Sequence, residues 1–564
     1  MIENPPIEIP DLSLYEVLKK TAGEFPENIA YQYLGHTVTY RRFIAQVDDL
    51  SIRFRKMGIC EGDRMIICLP NCPQALVAFY ALNRIGAISV MVHPLSSSNE
   101  IEYFIRDSGA KMAITFPRFL PNFPKIGSVE GFQTIIVTSP VDMMPKFKAK
   151  IMQLVSKEAR MPGGSLGFGM IRWTKMMKDN TDAVVKDIPQ VSTDAPASIL
   201  YTGGTTGKNK GAVHTSRSFN TTSLGMIELS GVRGEGNKML TEMPMFHGFG
   251  LCTCVHLPVC LGLTCILVPT FTLDSLCKII VKEKVNFMAG VPTLYEKMID
   301  NKYLANADLS FMKGIFCGGD SISVESKTRV DQFLLAHGST TKIRVGFGCT
   351  ECLTATALTP KTEERPGSVG IPIPGYRYMI ADPETGKELP DGEDGEICML
   401  GDSIMQCYYG HQAETDAVLK VHEDGNKWLH TGDLGCIIDG FIYFKNRIKR
   451  IIITSGYNVY PNQIEELLSH HQAVESSCVI GIPDPNRGSK VVAVVVLKKG
   501  MQESKETTES ISQYVKANIA AYAKPRKYVF VDSLPKTKLG KIDYRSLEAQ
   551  YSKQAEDQSS SSNM

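Results

Sequence analysis

The sequence predicts an α/β fold: a large N-terminal domain with parallel-type sheets layered between helices, followed by a small C-terminal α+β domain. Two observations carry this. Short, almost wholly apolar β-rich runs alternate with helical patterns through roughly the first 440 residues, and strands that are apolar on both faces belong to parallel sheets covered on both sides. Near residue 445 the composition shifts. The basic run Phe444–Arg450 lies between two apolar strands, and about 100 residues follow it, enough for a small separate domain.

The elements follow from the pattern. Met65–Leu69 predicts a strand, Gln74–Gly86 a helix and Ile88–Val92 the next strand, and the alternation recurs at Thr134–Val137, Ser198–Tyr201 and Val285–Ala289. In the C-terminal part, Pro461–Ser469 predicts a helix, and Ser477–Gly481 and Lys490–Leu497 predict strands. Residues 551–564 are polar and serine-rich, and are predicted to be a disordered tail. Gly248–Thr270 carries no charge apart from His256 and is about as long as a membrane-spanning helix. Pro258 and Gly262 interrupt it, and Cys265–Val268 reads as a strand, so a buried helix followed by a buried strand is expected. Residues 140–175 read as an insertion. Within it, Pro145–Arg160 has five basic residues against one acidic, with Phe147, Ile151, Leu154 and Val155 near one helical face. That pattern fits a basic amphipathic helix making peripheral contact with a membrane, but the simpler reading is a surface helix docked on its own domain.

Composition bounds the function. Among 564 residues the formal net charge is +1, so no global field draws the chain to nucleic acid, and no nucleic-acid partner is expected. The fifteen cysteines are odd in number, and several, such as Cys68, Cys254 and Cys265, sit in apolar runs. The start, Met1-Ile2-Glu3-Asn4-Pro5-Pro6, lacks the basic and apolar regions of a signal peptide. Reduced thiols in a cytoplasmic protein are expected. Cys349-x-x-Cys352 offers only two of the four ligands of a tetrahedral metal site.

The strongest chemical signal is Tyr201-Thr202-Gly203-Gly204-Thr205-Thr206-Gly207-Lys208-Asn209-Lys210-Gly211, entered from an apolar strand candidate. Glycines let the backbone approach an anion closely, and successive N–H groups, threonine hydroxyls and lysines can surround phosphate oxygens. It is not a Walker A loop, because Asn209 rather than serine or threonine follows Lys208.

This loop resembles the phosphate-binding signature of the adenylate-forming superfamily, which includes acyl-CoA synthetases, 4-coumarate–CoA ligases, firefly luciferase and peptide-synthetase adenylation domains. Gly203 stands where serine is usual and Asn209 where proline is usual. The resemblance runs in order over about residues 10 to 550 through Gly62-Asp63-Arg64, Leu69-Pro70-Asn71, Pro244–Gly250, Gly318-Gly319-Asp320, Gly346–Glu351, Tyr408-Tyr409, Thr431-Gly432-Asp433, Arg447-Ile448-Lys449 and Pro535–Lys541.

The resemblance implies ATP-dependent formation of an acyl-adenylate with pyrophosphate release, then transfer to coenzyme A, with Mg²⁺ as cofactor. It assigns Thr202, Gly203, Gly204, Thr205, Thr206, Gly207, Lys208 and Lys210 to the phosphates, and Lys541, Thr350, Glu351 and His247 to the catalytic set, with Glu351 also holding the metal. Gly318, Gly319, Asp320, Gly346, Phe347, Gly348, Asp433 and Arg447 would bind adenine and ribose. The common residue at Asp320 is alanine. The motif gives Asp320 no role, although its carboxylate could face the adenine amino group. The domain boundaries implied are 1–446 for the nucleotide- and acyl-binding part, 447–449 for a hinge at Lys449, 450–550 for a mobile domain carrying Lys541, and 551–564 for the tail. Rotation about Lys449 would exchange Lys541 for Ser455, Gly456 and Tyr457, which would admit coenzyme A. His247, Gly248 and Phe249 would border the acid, with Gly248 leaving room for a long chain. The expected substrate is a medium- or long-chain fatty acid. An aryl or cyclic acid, or loading of a separate acyl carrier protein, is the alternative.

Overall fold

A computed structural model describes all residues except 157–159, 162–165, 179–187, 189, 203–208, 235, 455–456, 485–486, 520–521, 538–540 and 562–564. The described chain forms two compact units. The larger comprises 1–379, 398–430 and 440–442, and the smaller 380–397, 431–439 and 443–564.

In the large unit, seven strands form one sheet in the order Lys210–Thr215, Pro196–Thr202, Ile88–Met91, Arg64–Cys68, Met112–Thr115, Thr134–Val137 and Met170–Arg172. Only the Lys210–Thr215/Pro196–Thr202 pairing is antiparallel. A second sheet places Ile343–Gly348, Gly314–Cys317, Phe287–Gly290, Lys238–Thr241, Thr264–Leu267 and Ile29–Tyr33 side by side and parallel, with short antiparallel strands at its edges. Helices fill the space between the sheets. Helix Pro73–Arg84 is buried along nearly its whole length, because it packs on the first sheet through one face and on neighbouring helices through the rest. Phe79 and Tyr80 anchor it in an aromatic cluster with Phe43 and Phe219. The outer faces carry their own cores, centred on Ile66, Val90, Ile105 and Phe132 in one sheet and on Ile266, Met288, Ile315 and Leu334 in the other. The expected layering is thus present. Periodicity located the elements because each strand is buried on two faces.

In the small unit, strand Gly488–Leu497 is the spine. Its run Val491–Val496 alternates. Val491, Ala493 and Val495 enter a core with helices Pro461–Ser469 and Lys505–Asn518, and Val492, Val494 and Val496 enter a second core with Leu547 and Tyr551. The last two belong to helix Tyr544–Ser561. The chain is therefore helical well past residue 551, where polar composition predicts disorder. Tyr551 is buried and ties the start of this stretch to the fold.

Three local expectations change. The run Gly248–Thr270 does form a helix and then a strand, but Pro258 does not break the helix. It marks the point where the wide π turns of Phe249–His256 give way to the α turn Leu257–Cys260, and strand Thr264–Leu267 follows. Helix Lys146–Val155 exists, but its core-facing contacts come from Ala149 and Met152. Phe147 and Leu154 remain 77% and 76% exposed. The far end of the insertion is not peripheral, since Met170–Arg172 extends the first sheet and Trp173 is buried. Among the described residues no helix is long and apolar enough to cross a membrane. All fifteen cysteines are free thiols, with Cys349 and Cys352 Sγ atoms 3.7 Å apart.

Candidate active site

The sequence-predicted phosphate loop begins at Thr202, the end of one strand, and returns at Lys210, the start of its antiparallel partner. Thr202 and Lys210 face each other in register. Gly203, Gly204, Thr205, Thr206, Gly207 and Lys208 lie outside the described residues. The loop's two ends are pinned by groups that the motif does not contain. The Tyr103 hydroxyl donates to the Asn209 carbonyl at 2.6 Å, and the Tyr201 hydroxyl donates to the Asp107 carboxylate at 2.8 Å. Asp107 also meets His411 Nε2 at 2.7 Å.

Residues 406–409 run alongside Gly211–Val213. The Val213 amide donates to Cys407 O, Gln406 N to Val213 O and Tyr409 N to Gly211 O. This places Tyr408 next to Lys210, whose ammonium lies 5.0 Å from the ring centroid. The Tyr408 hydroxyl donates to Glu351 Oε1 at 2.6 Å. Burial and the Glu351 charge hold the Tyr408 phenol well above its ordinary range, so it stays a donor. Glu351 is also fixed through its main chain, which accepts the Met405 amide at 2.7 Å. Its neighbour Thr350 is fixed by His214, whose Nε2–H donates to Thr350 O at 2.8 Å. Burial pushes the His214 imidazole down to about 4, so it is neutral at pH 7.

Leu353 closes this turn at φ 72°, ψ −57°, a conformation that side chains avoid. Such an outlier costs on the order of 1–3 kcal/mol and survives only where packing dictates it. Here the Leu353 side chain is fully buried, and its carbonyl oxygen would lie 1.7 Å from a Cβ built on Gly248. Gly248 is therefore required for backbone contact with the Glu351 segment. The expectation that it opens space for an acyl chain fails, because a carbonyl already occupies that space.

Gly318 and Gly319 follow strand Gly314–Cys317, and Gly346, Phe347 and Gly348 end strand Ile343–Gly348. A Cβ on Gly318 would lie 3.4 Å from Gly346 O and 3.6 Å from the Phe249 ring, so these segments converge at the carboxyl ends of parallel strands, where α/β sheets bind ligands. Gly348 is demanded by Thr354 O, only 1.9 Å from its would-be Cβ. Phe347 is buried, with 8% exposure. Asp320 is exposed, and its carboxylate accepts the Ser321 amide at 2.9 Å, stabilising its own turn. His247 Nδ1 accepts the Phe249 amide at 3.2 Å, which makes Nε2 the protonated nitrogen in the neutral ring.

In the small unit, Asp433 is buried beside Arg447, with Nε to Oδ1 at 3.0 Å. The turn that carries it is built by Thr431, which donates to Ile397 O and accepts the Asp433 amide, and by Gly432 at φ 70°. Lys449 falls in the single turn Ile448–Arg450. The next residue, Arg450, is clamped to Glu465 and to Asn462 at 2.7 Å. Strands Ile452–Thr454 and Tyr457–Val459 pair with Thr454 opposite Tyr457, and Ser455 and Gly456 between them lie outside the described residues. Residues 536–537 pair with 541–542, and 538–540 between them lie outside the described residues. Lys536 bridges Ile542, and the Thr537 amide donates to Lys541 O at 2.7 Å.

Comparison with known proteins decides the family. Residues 18–409 match the AMP-binding enzyme model, and residues 463–541 match the AMP-binding enzyme C-terminal domain model. The chain belongs to the AMP-binding enzyme family. It is 32% identical over 545 residues to the long-chain-fatty-acid–CoA ligase of Bacillus subtilis, covering 96% of this chain and 95% of that protein. It is 30% identical over 516 residues to peroxisomal OPC-8:0-CoA ligase 1 of Arabidopsis thaliana, covering 90% and 87%. The solved structure of ATP-bound MatB from Rhodopseudomonas palustris shares the fold at a TM-score of 0.81 and 24% identity, covering 96% and 99%.

Within this AMP-binding enzyme, the large unit gathers Thr202, Lys210, Thr350, Glu351 and Tyr408, and separately Gly318, Gly346 and Phe249. The small unit holds Asp433, Arg447 and Lys541. The motif reading passed over His214 and Asp107. Neither belongs to a motif, His214 lying in a strand and Asp107 in a helix, and only the tertiary fold shows that they brace Thr350 and the loop strand.

Proposed function

We propose that this AMP-binding enzyme, an ATP-dependent acid–thiol ligase, makes the CoA thioester of a medium- or long-chain fatty acid through an acyl-adenylate. The observation that carries the reading is the braced Thr350–Glu351 pair, linked through Tyr408 to Lys210, the last basic residue of the glycine-threonine motif. Attack of a carboxylate on the α-phosphorus brings two anions together, which requires fixed donors and positive charge. The loop and Lys210 would hold the β- and γ-phosphates, Thr350 would reach the α-phosphate, and Asp433 would accept the ribose hydroxyls. Phe347 and the glycines around it would bind adenine.

Glu351 fits a magnesium site. Its carboxylate is a hard oxygen donor, half-exposed, and Tyr408 engages one oxygen only. Mg²⁺ bound there would neutralise charge on the departing pyrophosphate. Lys541 would bridge the acyl carboxylate and α-phosphate oxygens as the acyl–oxygen–phosphorus bond forms and the bond to pyrophosphate breaks. In the second step the coenzyme A sulfur would attack the acyl carbon, losing its proton, and AMP would leave. Domain rotation about Lys449 would exchange Lys541 for Ser455, Gly456 and Tyr457. The long-chain substrate is supported by the Bacillus subtilis relative and by helix Lys146–Val155. Exposed Phe147, Ile151 and Leu154 lie there beside Lys146 and Lys150, an arrangement suited to peripheral contact with an anionic membrane through residues 145–160.

A panel of carboxylic acids with ATP, Mg²⁺ and coenzyme A tests this. AMP, pyrophosphate and thioester are expected with chain acids, whereas nucleotide cleavage to ADP alone would overturn the reading. Flotation with anionic liposomes tests the surface contact: charge-neutral replacement of Lys146, Lys148 and Lys150 should weaken it, and equal flotation would remove the proposal.

A further inference from the structure

Glu242 follows strand Lys238–Thr241 at the carboxyl edge of the second sheet, and none of the roles above uses it. The main chain around it is rigid. Asn71 Nδ2 donates to Thr241 O at 2.8 Å and to Met243 O at 2.9 Å, and Asn71 Oδ1 accepts the Met245 amide at 2.9 Å. The motif residue Asn71 thus locks the five residues that lead into His247. A second brace runs from the Thr241 hydroxyl to Cys254 O at 2.9 Å, tying the same edge to the helix that begins at Phe249.

On this fixed frame the Glu242 side chain is 5% exposed, and both carboxyl oxygens lack a hydrogen-bond partner among the described residues. The amides of Glu242 and Met243 approach closely enough to favour the ionised form, but neither reaches it in hydrogen-bond geometry. Cys254 and Tyr295 are near enough to feel its charge. The Tyr295 hydroxyl is already committed, donating to Phe316 O at 2.7 Å. Burial pushes the Glu242 carboxyl up to about 8, so at pH 7 it is mainly a neutral acid with one O–H donor and one carbonyl acceptor.

Buried polar groups without partners are rare in native proteins, and each calls for an explanation such as strain, a functional role, a water or a ligand that completes it. Glu242 stands five residues before His247, beneath the helix that starts at Phe249, and both of those residues border the expected acid site. The adjoining strand ends at Gly290, where the position of a Cβ would lie 3.0 Å from Leu294 Cδ2 and 3.1 Å from the Tyr295 hydroxyl, so these two side chains bound the edge beside Glu242. A neutral carboxylic acid pairs best with a group that both accepts and donates, and a hydroxyl does both.

We propose that Glu242 is a specificity-determining residue that hydrogen-bonds a hydroxyl group on the substrate's acyl chain. This rests on the acyl-CoA ligase reading and narrows its substrate to an oxygenated chain acid. A pocket built around a hydrogen bond rejects the analogue that lacks it far more strongly than an apolar pocket rejects an extra hydroxyl.

The test uses the full-length enzyme and a series of chain acids with a hydroxyl at successive carbons, each competed against its unsubstituted parent and scored by AMP release. The wild type should prefer at least one hydroxy acid over its parent by about 10-fold or more in kcat/KM. Glu242→Leu should abolish that preference while adenylating the parent at least as well, and should raise the Tm, because an unsatisfied buried group is gone. Glu242→Gln, which keeps a donor and an acceptor, should retain most of the preference. No hydroxyl preference in the wild type, or an unchanged preference in Glu242→Leu, would overturn this assignment alone. Absence of AMP with every acid would overturn the ligase reading with it.

Discussion

The Glu351 turn in the large unit and the Lys541 segment in the small unit carry charges for one proposed reaction, yet they are held in different ways. Around Glu351, groups from distant parts of the sequence converge: the Tyr408 side chain on its carboxylate, the His214 side chain on the Thr350 carbonyl, and the Gly248 backbone against the strained Leu353. The Lys541 segment is held by neighbours in sequence, through the Lys536–Ile542 bridge and the Thr537 amide. A group that binds nucleotide throughout a cycle gains from preorganisation by tertiary contacts. A group needed in one half-reaction suits a position held by its own sequence neighbours. Lys541→Ala tests this contrast most severely. It should slow adenylation by roughly 10²–10³-fold while supplied acyl-adenylate is still converted to thioester. Equal loss in both half-reactions would break the contrast.

The anchored side of the comparison is tested by Tyr408→Phe. The ring remains over Lys210, and only the hydroxyl on Glu351 is lost. Partners that orient a metal-binding carboxylate are worth roughly 10–100-fold in metal affinity. The concentration of Mg²⁺ needed for half-maximal adenylation should rise by about 10-fold or more, with little change in the Tm. An unchanged Mg²⁺ requirement would show that Tyr408 braces the fold and not the metal site.

Much of the layering was legible because doubly covered strands write continuous apolar runs. The spine Val491–Val496 is the clearest case: an unbroken apolar stretch that serves two cores. The order of the motifs was legible as well, because chemistry on phosphates needs fixed residue types at fixed turns. The braces were not. His214 and Asp107 act through contacts to residues 136 and 304 positions away, and no local pattern encodes such a separation. Gly248 was misread for a related reason. A missing side chain looks like open space in a sequence, whereas in the fold it marks contact with another backbone.

That misreading supplies a sharper test of the anchored region. Gly248→Ala places a methyl group where Leu353 O already stands, and backbone cannot swing aside as a side chain can. Overpacking of this kind costs about 1–3 kcal/mol, and the displaced atoms belong to the Glu351 turn, so adenylation should fall along with the Tm. Gly23→Ala is the control. It lies in helix Leu14–Glu24 with nothing within 4 Å of the new Cβ, and should stabilise by about 0.5–1 kcal/mol without touching activity. Full activity in Gly248→Ala would mean that Leu353 yields freely and that its strain serves no purpose in the site.

The mildest effect concerns acid. His214 is fully buried, and the Thr350 and Ser403 main chains and the Glu351 charge favour its proton less than burial opposes it, leaving the imidazole at about 4. In the unfolded chain it titrates near its ordinary 6.5. Above pH 6.5 both states are neutral, and the group adds no pH dependence. Between 6.5 and about 4 the unfolded chain binds a proton that the folded chain refuses. Stability therefore falls as pH falls, approaching about 1.4 kcal/mol per pH unit for this one group. His214→Gln keeps an N–H for the Thr350 carbonyl and removes the titration. Between pH 7 and pH 5 its Tm should decline less steeply than that of the wild type, while its adenylation rate at pH 7 stays within a few-fold. Parallel declines would mean that the imidazole gains a compensating partner on protonation, and the Thr350 brace would then be less rigid than the contacts around Glu351 imply.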